Sequence, residues 1–195
     1  MSDACLDQRE RGARRWWTLA NGLTGVRLGC APLLAHALLG GRSRLALVLF
    51  TLAVITDFAD GPLARRRGEA SALGGLLDHA TDALFVTTGL SALAFQGLVP
   101  WLLPVGVAAA FTQYTLDSRA LAGRPLRASF LGRWNGIAYF VVLGIPVVRD
   151  GLGLGWPGGA LVAAIGWALV ATTAVSMADR GLALARRDQG PGSAG

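Results

Sequence analysis

Four aspartates lie within a stretch of sequence whose composition is otherwise that of membrane helices. Asp57 and Asp60 follow the apolar run LALVLFTLAVIT, and after Asp78 and Asp82 no acidic or basic residue occurs until Asp117. Carboxylates in or near a bilayer are costly, and a chain that retains four of them usually uses them. On a helix, a spacing of three or four residues places both carboxylates of a pair on one face. Two antiparallel helices joined by a turn would therefore bring all four acids together.

Such a cluster of carboxylates has two physical explanations. Four acid groups in one pocket repel each other unless cations neutralise them, and an all-oxygen ligand set suits a hard ion such as magnesium, manganese or calcium. In the alternative interpretation, the aspartates pair with arginines and hold the helices together. We predict the metal site.

The composition indicates an integral membrane protein. Of the 195 residues, 53% are hydrophobic and only 15% are charged, whereas a soluble domain of this size normally carries more charge. The formal charge of +6 comes from 18 arginines without any lysine. On a membrane protein, such a balance indicates anionic lipid and topology, so we expect membrane lipids and no nucleic acid as partners.

The apolar runs predict an all-α membrane protein with six transmembrane helices. A bilayer crossing needs about 20 residues, and the uncharged run after Asp82 is long enough for two helices separated by a turn at Gly97–Pro100. The predicted helices cover about 18–40, 45–64, 71–95, the run from that turn to 116, 134–148 and 158–178. We therefore expect a cytoplasmic segment at 1–17, a six-helix domain at 18–180 and a disordered cytoplasmic tail at 181–195.

The distribution of arginines predicts the orientation. With the N-terminus in the cytoplasm, fourteen arginines fall on the cytoplasmic side, and only Arg42, Arg44 and Arg149 fall on the opposite side. This asymmetry follows the positive-inside rule, so both termini are predicted to be cytoplasmic. The four aspartates then lie within a turn or two of the cytoplasmic surface of a bacterial inner membrane, where soluble substrates and metal ions can reach them.

The spacing within this stretch also resembles a known signature. Read as a pattern, it is D-x2-D-G-x2-A-R-x8-G-x3-D-x3-D, filled by Asp57, Asp60, Gly61, Ala64, Arg65, Gly74, Asp78 and Asp82. All eight positions and every gap match the signature of the CDP-alcohol phosphatidyltransferases. The chain is accordingly similar to a family that transfers the phosphatidyl group of CDP-diacylglycerol, or of another CDP-alcohol, to an acceptor hydroxyl and releases CMP.

The resemblance implies a role for each position of the motif. Asp57, Asp60 and Asp78 would bind two divalent ions, Mg²⁺ or Mn²⁺. Asp82 would also lie at the metal site and act as the catalytic base on the acceptor, a small polar or lipid alcohol. The expected contacts to CDP involve Asp60, Gly61, Ala64, Arg65 and Gly74. A homodimer is also expected from the resemblance.

Further polar residues are candidates for binding phosphate or the acceptor. Asn21, Thr24 and Arg27 share one face of the first helix, in an arrangement similar to that of phosphatidylglycerophosphate and cardiolipin synthases, which favours glycerol 3-phosphate as acceptor. Arg119, Arg127 and Arg133 could bind a phosphorylated acceptor, because guanidinium groups suit bidentate phosphate contacts. Positive-inside placement explains these three equally well. Asn135 could either line the pocket or hydrogen-bond across helices.

Two other functions remain as alternatives. Intramembrane prenyltransferases also hold a lipid diphosphate through magnesium, but they are longer and their acidic motifs lie far apart in sequence. A divalent-cation carrier would place carboxylates near the membrane midplane and would not need the D-G-x2-A-R element. The depth of the aspartates and that element both favour the transferase.

Overall fold

The computed structural model describes residues 19–67, 72–117 and 130–188, and every regular element within these ranges is an α-helix. The predicted all-α architecture is therefore confirmed for this part of the chain. The helices are α1 (Leu19–Leu39), α2 (Ser43–Arg67), α3 (Ala72–Phe95), α4 (Leu102–Asp117), α5 (Phe130–Gly151) and α6 (Gly159–Asp188).

Three of the helices, α1, α3 and α5, end in the same way. Each is followed by a glycine with positive φ, namely Gly41 at 65°, Gly97 at 74° and Gly153 at 68°. Glycine adopts this conformation without the steric cost that a side chain brings. The next amide then donates back to a carbonyl five residues earlier, which ends the helix and reverses the chain. These bonds, of 2.7–3.0 Å, run from Arg42 to Ala37, from Leu98 to Leu93 and from Leu154 to Arg149.

The helices pack as a bundle, and the short turns after α1, α3 and α5 join antiparallel neighbours. Helix α1 packs against α2 and α3, α4 packs against α3 and α6, and α5 packs against α2, α3 and α6. Fully buried side chains such as Leu34, Phe85, Leu93, Leu143 and Val162 form the core. Because the chain reverses after α1, α3 and α5, the beginning of α3 and the ends of α2 and α6 lie at the end of the bundle opposite the glycine turns.

The outer surface of the bundle is strongly apolar. Val48, Ile55 and Val175 are each about 60% exposed, and soluble monomers rarely expose extended apolar patches. By length and composition, two helical segments can cross a membrane, Leu131–Gly151 and Gly159–Leu182, and the shorter apolar helices include Thr24–Leu39 and Leu102–Leu116. The surface is therefore suited to lipid.

Two helix boundaries differ from the sequence prediction. Helix α5 begins at Phe130, so Arg133 lies in its first turns and not in a loop. Helix α6 continues to Asp188, so the first part of the expected disordered tail, 181–188, is helical. The expected cytoplasmic segment at 1–17 and residues 189–195 lie outside the described ranges.

Close contact between α2 and α5 depends on Gly144. An ideal Cβ at this position would lie 2.8 Å from Cζ of Phe50, so a larger residue must displace the ring or separate the helices. We expect Gly144→Val to reduce the free energy of unfolding by about 1–3 kcal/mol, the usual cost of overpacking. Thermal unfolding in detergent measures this effect as a lower Tm.

Gly29→Val is the matched control for this substitution. Gly29 is also helical, but a Cβ there would have no neighbouring atom within 4 Å, so valine adds no clash. Equal melting temperatures for the two variants would contradict the packing role of Gly144.

Candidate active site

One arginine joins three aspartates from the two neighbouring helices. Nη1 of Arg27 donates to Oδ1 of Asp78 at 2.9 Å and to Oδ1 of Asp82 at 2.5 Å. Its Nη2 lies 3.2 Å from Oδ1 of Asp57. Arg27 comes from α1, Asp57 from α2, and Asp78 and Asp82 from α3, so this ion-paired cluster fixes three helices relative to each other at the end of the bundle opposite the glycine turns.

The position of α1 explains this geometry. Because α1 packs against both α2 and α3, a long side chain on its inner face reaches carboxylates on each of them. The side chain of Arg27 is completely buried, and a buried charge is tolerated only when it is paired. The carboxylates keep access to solvent, with Asp57, Asp78 and Asp82 exposed by 37%, 34% and 24%.

The three carboxylates are arranged in a way that fits a hard divalent cation. Asp57, Asp78 and Asp82 each offer one oxygen, and these oxygens lie within 4.8 Å of one another. Carboxylate oxygens are the ligands that magnesium and manganese prefer. The carboxylates are also partly exposed, so an ion can reach them from solvent. The side-chain position of Asp60, the fourth predicted ligand, lies outside the described part of the structure.

A cavity of about 490 Å³ opens beside the aspartates. Asp57 and Asp82 contribute to its wall, whereas Asp78 does not. Two arginines, Arg133 from α5 and Arg180 from α6, also line the cavity. A ligand in this space can therefore contact both acidic and basic groups.

Stacked aromatic rings support Arg180, one of the two arginines that line the cavity. The guanidinium carbon of Arg180 lies 5.3 Å from the ring centroid of Tyr114, which is a cation–π distance. On the neighbouring helix, His79 stacks on Tyr114, with ring centroids 5.9 Å apart. These contacts join α3, α4 and α6 and orient Arg180.

A third part of the cavity wall is polar but uncharged. Asn135 and Tyr139 on α5 and Thr173 and Ser176 on α6 all line the cavity and are all more than 90% buried. Thr173 donates to the carbonyl of Leu169 at 2.6 Å, so the hydroxyl of Tyr139 donates to Thr173 at 2.5 Å. The cavity thus combines acidic, basic and neutral polar surfaces.

The structure locates some of the residues predicted from the sequence. It brings Asp57, Asp78, Asp82 and Arg27 together, and it places Arg133 at the cavity. Thr24 is half-buried on α1 and does not line the cavity. Six further predicted residues lie on described helices, but their detailed positions are outside the described part of the structure: Asn21 on α1, Asp60, Gly61, Ala64 and Arg65 on α2, and Gly74 on α3. Arg119 and Arg127 lie entirely outside the described ranges.

Several cavity residues belong to no recognisable motif in the sequence. Arg180 was predicted to lie beyond the last helix, although its spacing of four residues from Ser176 places the two on one helical face. Tyr114, Tyr139 and Thr173 had no recognised motif. The available signal was the spacing of Thr173, Ser176 and Arg180, which places these three polar residues on one face of α6.

Comparison with known proteins gives related sequences over most of the chain. A CDP-diacylglycerol–glycerol-3-phosphate 3-phosphatidyltransferase of Cereibacter sphaeroides is 33% identical over 145 residues, 70% of this chain and 66% of that protein. A putative cardiolipin synthase of Mycobacterium tuberculosis is 30% identical over 142 residues, 69% of this chain and 65% of that protein. A CMP-forming cardiolipin synthase of Streptomyces coelicolor is 31% identical over 160 residues, 77% of this chain and 73% of that protein.

The first two of these relatives are matched over slightly less than two thirds of their own length. No solved structure matches the chain significantly. The family model for CDP-alcohol phosphatidyltransferases matches residues 17–177, a region that contains the aspartate cluster, Arg27 and nearly the whole bundle. On this evidence, the chain belongs to the CDP-alcohol phosphatidyltransferase family.

Proposed function

We propose that this protein is an integral membrane phosphotransferase of phospholipid synthesis. It transfers the phosphatidyl group of CDP-diacylglycerol, or of another CDP-alcohol, to an acceptor hydroxyl and releases CMP. The observation that carries the proposal is the placement of Asp57 and Asp82 on the wall of a cavity that also contains Arg133 and Arg180. Family membership favours this function over the prenyltransferase and cation-carrier alternatives.

The aspartates have distinct roles in this proposal. Asp57, Asp60, Asp78 and Asp82 would hold two divalent ions. When bound, such ions neutralise the carboxylates and stabilise charge on the attacking and leaving oxygens. Asp60, Gly61, Ala64, Arg65 and Gly74, which fill the family's motif, are the proposed contacts to the CDP group.

Asp82 is the proposed catalytic base. It takes the proton of the acceptor hydroxyl as that oxygen attacks the phosphorus of the phosphatidyl group. The new bond joins the acceptor oxygen to this phosphorus. The bond from the phosphorus to the bridging oxygen of the diphosphate breaks, and CMP leaves with the electron pair. The position of Asp82 on the cavity wall supports this role, because an acceptor in the cavity can reach it.

We propose a phosphorylated glycerol, glycerol 3-phosphate, as the acceptor. Arg133 and Arg180 provide guanidinium groups at the cavity, and guanidinium binds phosphate well. The Cereibacter relative is named for glycerol 3-phosphate, whereas the Mycobacterium and Streptomyces relatives are named cardiolipin synthases. The cavity of about 490 Å³ accommodates the small acceptor.

The proposed orientation places the site at the cytoplasmic side of a bacterial inner membrane. Six helices span the bilayer, and both termini are cytoplasmic. The excess of arginines on one side supports this topology. It gives CDP-lipid access from the bilayer and gives the polar acceptor access from the cytoplasm.

The test is CMP release by the purified full-length protein from CDP-diacylglycerol with magnesium. Glycerol 3-phosphate, phosphatidylglycerol and buffer alone are compared as acceptors. We expect release that depends on glycerol 3-phosphate, stops when EDTA removes divalent ions and resumes when excess magnesium is added.

Two results would argue against the proposal. Release at the same rate without any acceptor would indicate a hydrolase, and no release with any acceptor would contradict the transferase activity. Release with phosphatidylglycerol alone would retain the transferase class and replace the proposed acceptor.

A further inference from the structure

Four uncharged polar residues of the cavity wall are deeply buried. Asn135, Tyr139, Thr173 and Ser176 are 3–8% exposed, and polar groups buried this deeply normally have hydrogen-bond partners. Asn135 and Tyr139 are four residues apart on α5, and Thr173 and Ser176 are three apart on α6. Each pair therefore lies on one helical face, and all four residues line the cavity.

Asn135 carries an unused hydrogen-bond donor. Its Nδ2 atom is buried and has no hydrogen-bond partner among the residues that the structure describes. Leaving a buried amide donor without a partner destabilises the protein. The oxygen of the nearby Tyr139 hydroxyl, which donates to Thr173, could also accept, but Nδ2 of Asn135 forms no hydrogen bond of good geometry with it. A ligand group in the cavity that accepts a hydrogen bond would remove this cost.

We propose that Asn135 and Ser176 form a subsite that recognises an uncharged hydroxyl group of the acceptor. This inference rests on the proposed function, because it concerns the same cavity. The two arginines take the phosphate, and the amide and hydroxyl of the subsite take a hydroxyl that does not react. For glycerol 3-phosphate, that group is the middle hydroxyl.

The physical basis is that a buried hydrogen bond contributes less to stability when it is made than an unpaired buried group costs when it is missing. A hydroxyl can accept from Nδ2 of Asn135 and donate to the oxygen of Ser176, so both its donor and its acceptor are satisfied. An acceptor without the hydroxyl leaves these groups desolvated and unpaired, and sites of this kind discriminate strongly against such analogues.

Direct binding to the full-length protein without CDP-lipid tests the inference. The probes are glycerol 3-phosphate and 3-hydroxypropyl phosphate, which retains the phosphate and the primary hydroxyl but lacks the middle hydroxyl. By calorimetry, we expect the parent to bind glycerol 3-phosphate about tenfold more tightly, the equivalent of one good hydrogen bond. In Asn135→Leu and in Ser176→Ala, this preference should fall to about twofold or less.

Thr87→Val is the matched control. Oγ1 of Thr87 is also buried without a hydrogen-bond partner in the described structure, but Thr87 does not line the cavity. The variant should keep the tenfold preference of the parent, about 1.4 kcal/mol. Loss of the preference in this variant would show that the effect does not come from the subsite.

The outcomes separate this inference from the proposed function. Equal binding of both probes by the parent, or no binding of either, would overturn the subsite even if CMP release is observed. A preference that persists in both Asn135→Leu and Ser176→Ala would overturn the assignment to these residues. A preference lost in the two variants supports the subsite, and failure of CMP release would then count against the catalytic proposal alone.

Discussion

Asp82→Asn is expected to abolish acceptor-dependent CMP release while the protein remains folded. Asparagine has nearly the same shape as aspartate but cannot take a proton from the acceptor hydroxyl. Loss of a general base typically lowers a rate by about 10²–10⁴-fold. The measurement is CMP release from CDP-diacylglycerol with magnesium and glycerol 3-phosphate, at saturating concentrations of each.

Two further measurements identify the cause of the loss. Manganese binding, followed by electron paramagnetic resonance, should persist in Asp82→Asn because Asp57 and Asp78 still offer carboxylates. Asp150→Asn makes the same chemical change at a carboxylate that pairs with Arg149 and does not line the cavity, so its turnover should equal that of the parent. Normal turnover by Asp82→Asn would refute the assignment of the base.

The helices could be predicted from the sequence because apolar runs and glycine turns encode them. Gly97 ends α3 where an overlong uncharged run required a turn. The predicted end of α6 was wrong because the helix continues beyond its apolar segment. Hydropathy decreases after residue 178, but α6 continues through GLALARR, in which alanine, leucine and arginine have high helix propensity. The pattern predicted the beginning of α6 and underestimated its length.

The grouping of Asp57, Asp78 and Asp82 could also be predicted, because a spacing of four residues places Asp78 and Asp82 on one helical face and a reversal of the chain brings that face towards Asp57. The partners of Arg27 could not be predicted from the sequence. Which residues of α2 and α3 lie beside Arg27 depends on how α1 is rotated and shifted against both helices, and tertiary packing sets that register. The sequence therefore predicts phosphate or acceptor binding for Arg27, whereas the structure pairs it with Asp57, Asp78 and Asp82.

This pairing unites the two explanations of the aspartates that the sequence allowed. The same carboxylates that fit a divalent ion also pair with an arginine that holds three helices together. Arg27 and a metal ion would therefore act on one set of oxygens. In the absence of metal, Arg27 supplies the positive charge that keeps the aspartates close, which leads to a second prediction.

Arg27→Met is expected to destabilise the metal-free protein and to make its stability depend on divalent ions. Methionine retains much of the apolar length but leaves Asp57, Asp78 and Asp82 without this counter-charge. Removing one partner of a buried pair costs about 3–5 kcal/mol, and the partial exposure of the carboxylates reduces that cost. We expect Tm in EDTA to fall by at least about 5 °C.

Magnesium distinguishes loss of charge from loss of packing. A divalent ion can replace the missing positive charge, so the increase in Tm from EDTA to excess magnesium should be larger in Arg27→Met than in the parent.

Arg27→Lys keeps one charge but cannot reach several carboxylates with a planar fork, so its Tm in EDTA should be intermediate. Arg42→Met removes an exposed arginine at the opposite end of the bundle and should leave both values unchanged. An equal magnesium-dependent increase in the parent and in Arg27→Met would mean that the arginine contributes packing alone. A bound ion can replace the positive charge of Arg27 but not the packing of its side chain.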